Sequence, residues 1–170
     1  KLDAVQHIPI EDPRTALARY RAGELDIAVS LPSEQIDDLR REFGSQLHLT
    51  QQIGLEYYAF NTKRPPFDDA RVRRALSMAI DREALSRAVL RAGEPAAYCL
   101  VPTGVTNYPR GGCADFATLD TKQRLAEAHA LLAAAGYDAA KPLKLVLRFN
   151  SGDTQRKTAI AIAAMWQPLG

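Results

Sequence analysis

Between Glu56 and Asp81 the chain changes its hydrophobic period twice, and the other elements read outward from there. Glu56-Tyr57-Tyr58-Ala59-Phe60-Asn61 is β-rich, and neighbouring side chains of an extended segment point to opposite faces. Tyr58 and Phe60 therefore share one face, and Tyr57, Ala59 and Asn61 the other. Lys63-Arg64-Pro65-Pro66 ends the strand, because proline has no amide donor and biases its predecessor towards extended conformations. A helix comes next, with Asp68 and Asp69 as acceptors for its free amides and Val72, Leu76 and Ala79 on one face. Asp81 caps a second helix that turns Leu85, Ala88 and Val89 inward and ends before Gly93.

Upstream, Leu2 to Ile8 reads as a strand ended by Pro9. Asp12-Pro13 opens a helix with Ala16, Leu17 and Tyr20 on its apolar stripe and Gly23 as its stop. Leu25 to Val29 is a short buried strand. Ser33 caps a helix with Ile36, Leu39 and Phe43 inward, stopped by Gly44, and Leu47 to Ile53 returns as a strand. Downstream, Glu94 to Thr118 is mostly loop. Asp120 with Gln123 forms a capping-box pattern before Leu125, Ala128, Leu131 and Leu132, and Gly136 ends that helix. Pro142 to Phe149 is a strand, and Thr154 to Gln167 a last helix with Ile162 and Trp166 on one side. Strands alternating with helices predict an α/β fold.

Composition narrows the function classes. With 46% hydrophobic and 25% charged residues the chain is globular, and a net charge of +2 gives no ground for a nucleic-acid partner or an anionic membrane. No apolar run approaches the roughly 18 residues of a membrane helix. Lys1-Leu2-Asp3 lacks a signal-peptide pattern, and Gln167 to Gly170 stops where another strand is expected, so the sequence reads as truncated at both ends. Cys99 and Cys113 flank a loop containing Pro102, Gly104, Pro109, Gly111 and Gly112. They are either paired, which would point to an oxidising compartment, or two buried thiols.

Catalytic constellations are missing. His7, His48 and His129 fall on separate elements without metal-ligand spacing. Gly111-Gly112 has no phosphate-loop context, and no serine sits in a nucleophile elbow. Asp68-Asp69 reads as a cap rather than a carboxylate dyad, and Arg71, Arg73 and Arg74 as a solvated face rather than a DNA-recognition helix. No cofactor and no enzyme activity are expected, which leaves a binding protein.

Phe60-Asn61-Thr62, Pro66-Phe67-Asp68-Asp69, Val72-Arg73-Arg74-Ala75-Leu76 and Ala79-Ile80-Asp81-Arg82 together resemble the signature of the family 5 extracytoplasmic solute-binding proteins. These are the oligopeptide- and dipeptide-binding components of ABC importers. Ala22-Gly23-Glu24-Leu25-Asp26-Ile27 upstream, Ala135-Gly136-Tyr137 and Trp166 downstream match in the same order. The resemblance implies a periplasmic-binding-protein-like fold of two α/β lobes closing on a peptide, of which this chain is a partial piece. Residues 1–53 would belong to the first lobe and 54–170 to the second, with Ile53 to Tyr57 near the crossing.

It further implies a peptide ligand, membrane permease subunits as partners, and a periplasmic or other extracytoplasmic location. Tyr57, Gln155 and Ser30 fall at ligand-contact positions, and Gln52 aligns with a first-lobe pocket position. Ala59 stands where peptide-binding relatives present an acid, Gln155 where some have a histidine, and Leu90 where they have a lysine. Two other readings share the fold: a ligand-sensing domain of a transcription regulator, and a binder of a non-peptide solute such as a nickel chelate, haem or sugar.

Overall fold

The computed structural model describes residues 1–50, 52–102, 104–108 and 112–170. Gln51 of the expected strand, and Pro109 and Gly111 of the expected loop, lie outside the described residues. The chain divides into two compact units, Lys1–Leu49 and Thr50–Gly170.

In the first unit, α1 (Pro13–Arg21) and α2 (Ile36–Phe43) build the core. The Asp12 carboxylate accepts from the Arg14 amide at 3.0 Å, and Pro13 takes the first helical turn, where a missing donor costs nothing. Leu17, Ile36 and Leu39 are buried, with Leu31, Phe43 and Leu47 packed around them. The rings of Tyr20 and Phe43 meet edge to face at 5.4 Å. Gly44 at φ +52° ends α2 in a conformation that side chains rarely adopt. Ser33 does not cap α2: it begins a 3-10 turn, Ser33–Gln35, and makes no capping bond. That tighter turn satisfies the first amides from the backbone instead.

In the second unit, α3 (Ala70–Met78) packs along α5 (Thr121–Ala134), and α6 (Asp153–Trp166) lies against a π-helical turn, Leu85–Leu90, that continues α4 (Arg82–Ala84). Asp69, Asp81 and Asp120 each cap a helix, and Asp120 forms a full capping box with Gln123. The core holds Val72, Leu76, Met78, Phe116, Leu132, Ile162 and Trp166. Ala88, expected inward, is exposed. The π turn bonds five residues back rather than four, which rotates its later residues out of the helical phase.

The α/β expectation requires correction. The described residues are helical or extended and contain no strand; the one isolated β-bridge joins Cys99 to Cys113. Among the described residues the five segments read as strands run without ladder partners, and Leu25 to Val29, expected to be buried, leaves Ile27 and Val29 exposed because no neighbouring element covers it. Their alternation nevertheless places side chains: Tyr58, Phe60, Leu143, Leu145 and Leu147 pack against the core, while Tyr57 is 72% and Val146 82% exposed. Periodicity is a local property, whereas a strand also needs a neighbour at ladder distance.

Candidate functional site

Because Tyr58 and Phe60 are drawn into the core, Tyr57, Ala59 and Asn61 point outward, and all three are exposed. Leu143, Leu145 and Leu147 likewise send Lys144, Val146 and Arg148 outward. These two extended segments meet. Asn61, Arg64 and Phe67 line one cavity of about 670 Å³ together with Lys144, Val146 and Arg148. Across the Pro65–Pro66 turn a separate cavity of about 530 Å³ is bounded by Asp68, Asp69, Arg71 and Tyr137.

The other candidate positions are dispersed. Gln155 is half-buried in the first turn of α6, its Oε1 folded over Gly152, where an added Cβ would come within 2.1 Å of it. Leu90 is half-buried at the end of the π turn, ahead of Arg91 at φ +64°. Gln52 is exposed in the second unit, and Ser30 is exposed in the first. Of the six, the outward side of one segment brings together Tyr57 and Ala59.

The arginines that look most available in sequence are occupied. Arg71 binds Asp69 and donates to the Ala134 carbonyl at 2.7 Å. Arg73 donates to the Phe67 carbonyl at 2.7 Å, and Arg74 bridges Asp115 and Glu127 at 2.7 and 3.3 Å. The Arg71 guanidinium holds the Asp69 carboxyl below its ordinary range, and Arg74 does the same for Asp115. These groups fasten α3 to its neighbours.

A second polar cluster escaped sequence reasoning because its members are far apart in the chain. Arg82 and Arg124 both stack on Tyr98, 4.9 and 5.7 Å from its ring centroid. The Tyr98 hydroxyl donates to Glu83 at 2.9 Å and accepts from Arg124 Nη1 at 2.8 Å. Burial, then the Glu83 hydrogen bond, push the phenol above its ordinary range, and burial lowers Arg82. Beside Tyr98, Cys99 is disulfide-bonded to Cys113. The Ala114 amide donates to the Tyr98 carbonyl at 2.7 Å, so both ends of the intervening loop are tied to this cluster.

Among the described residues no cluster of His, Cys, Asp and Glu could hold a metal ion, and no helix is long and apolar enough to cross a membrane. The arrangement offers outward-facing aromatic, amide and cationic groups on a rigid helical backing. Such groups suit the recognition of an extended polar ligand.

Comparison with known proteins places the chain among relatives. The sequence model of the bacterial extracellular solute-binding proteins, family 5 Middle, matches residues 1–170. The periplasmic murein peptide-binding protein MppA of Escherichia coli is 40% identical over 169 residues, 98% of this chain and 31% of the relative. Its solved structure superposes with a TM-score of 0.88 at 38% identity, covering 95% of this chain and 32% of that one. Haemophilus influenzae OppA, solved in complex with RPPGFSPFR, gives a TM-score of 0.83 at 36% identity over 94% of this chain and 31% of that one. The probable deoxycholate-binding periplasmic protein YgiS of Escherichia coli is 37% identical over 98% of this chain and 30% of the relative. The chain thus spans about a third of the length of the curated relatives it matches.

Proposed function

Since the chain belongs to the bacterial extracellular solute-binding proteins of family 5, we propose that it is part of a protein that captures peptides outside the cytoplasmic membrane and delivers them to the permease subunits of an ABC importer. The observation that carries this reading is the outward side of residues 57–61, where Tyr57 is 72% exposed on a segment whose alternate residues are anchored in the core. An exposed tyrosine on a packed backing presents a ring face and a hydroxyl that an extended peptide can cover.

On this reading residues 1–53 belong to one lobe and 54–170 to the other. Ser30 and Gln52 then contribute from the first lobe, and Tyr57, Leu90 and Gln155 from the second. Ala59 supplies no charge. Contacts from both lobes are needed, because a half-site meets the ordering cost of the ligand with too few interactions.

Calorimetric titration of the protein carrying both lobes with di- to pentapeptides tests the assignment. One-to-one binding that weakens on Tyr57→Ala supports it. No heat with any peptide, alongside tight binding of a bile acid, overturns it in favour of a non-peptide solute. That second reading is favoured by the likeness to YgiS.

A further inference from the structure

The cavity where the two extended segments meet has an unusual charge balance. The chain as a whole carries 22 Lys and Arg against 20 Asp and Glu, and many of its arginines are ion-paired. Arg21 meets Glu42, Arg71 meets Asp69, Arg74 meets Asp115, and Arg156 meets Asp153. Arg64, Lys144 and Arg148 are different: they line one cavity, no carboxylate lines it with them, and none has an ion-pair partner among the described residues. The acids nearest Arg64 in sequence, Asp68 and Asp69, line the separate cavity across the Pro65–Pro66 turn, and Asp153, nearest Arg148, is paired with Arg156 and Lys157. Asp69 is already taken by Arg71.

Three like charges lining one open recess repel one another modestly, because all three are exposed and water screens them in part. A ligand carboxylate relieves that repulsion, and Arg64 and Arg148 supply the planar donors that carboxylates prefer. We propose that Arg64, Lys144 and Arg148 form a subsite for the carboxylate side chains of acidic peptides, so that this protein selects Asp- and Glu-bearing ligands. The inference rests on the peptide-binding reading above and names the ligand class of that function.

The test uses the protein carrying both lobes and three pentapeptides differing at one position, Glu, Gln or Lys, titrated calorimetrically. The Glu peptide binds about tenfold more tightly than the Gln peptide, as two to three partly exposed ion pairs allow, and the Lys peptide binds most weakly. The advantage shrinks as salt is raised. R64Q/K144Q/R148Q reduces the Glu-to-Gln ratio to within about twofold by the same estimate. K144E/R148E reverses the order in favour of the Lys peptide, a gain that misfolding cannot produce. Equal affinities for the three peptides in the unaltered protein, or a Glu advantage that survives the triple substitution, overturn the proposal while leaving peptide capture standing. No heat with any peptide removes the peptide reading itself, and this inference with it.

Discussion

Trp166→Phe is the most direct probe of how the second unit holds together. The indole Nε1–H donates to the Leu76 carbonyl at 2.9 Å across 90 residues of sequence, joining α6 to α3. Leu76 is 1% exposed. Its carbonyl sits in the last turn of α3, where intrahelical donors run out, so water cannot readily replace the lost bond. Leaving that acceptor unsatisfied costs about 1–3 kcal/mol. The space vacated by the larger ring system adds about 1–2 kcal/mol, because neighbouring side chains relax only partly. The sum, about 2–5 kcal/mol, is a large fraction of the roughly 5–15 kcal/mol by which a domain is stable. Urea unfolding followed by far-ultraviolet circular dichroism should show a lower midpoint with an unchanged slope. A loss below about 0.5 kcal/mol, the scale of a surface substitution, would refute the bond as a tie between the helices.

Tyr98→Phe removes the hydroxyl shared by Glu83 and the nearly buried Arg124, and should cost about 1.5–3 kcal/mol in the same assay. Because the Tyr98 phenol is raised in the folded state, its contribution is complete below the ordinary value of 10.0 and is lost as pH rises through the folded value. Unfolding midpoints of Tyr98→Phe should therefore lack that alkaline decline. Replacing Cys99 and Cys113 by serine, which opens a cross-link between residues 14 apart, should lower stability by about 3 kcal/mol. Dithiothreitol should reproduce that loss in the unaltered protein and leave the serine variant unchanged. Asp153 is lowered to about 2 by hydrogen bonds from Lys157 and Arg156, so its stabilising contribution is present above the ordinary value of 3.8 and is lost as pH falls through about 2. Carboxyl NMR should place its titration there, and Asp153→Asn should flatten the stability profile across that window.

The helices were legible because their signals are local. Asp12, Asp69, Asp81 and Asp120 each cap the helix their position announces, and Gly44 and Gly136 stop theirs at positive φ. The faces of the extended segments were legible for the same reason, through the period of two. Strand pairing was not, since Leu143 to Phe149 carries its alternation whether or not a neighbour completes the ladder. Nor was the Arg82–Tyr98–Arg124 stack, which depends on three elements converging. The cation cavity lay between these cases. Lys144 and Arg148 were already on one face by parity, but their approach to Arg64 depends on the turn at Pro65–Pro66.

The alternation along residues 143–149 also separates two kinds of sequence change. Leu143, Leu145 and Leu147 answer to the core, while Lys144, Val146 and Arg148 answer to the surroundings outside it. Outward residues can be exchanged one at a time without disturbing a packed neighbour, so the charge of the cavity can drift while the backing stays constant. Insertion or deletion of a single residue has no such latitude, because it would turn every leucine out and every cation in. A lineage of such proteins could diversify its ligands here by point substitution and keep the length of this segment fixed.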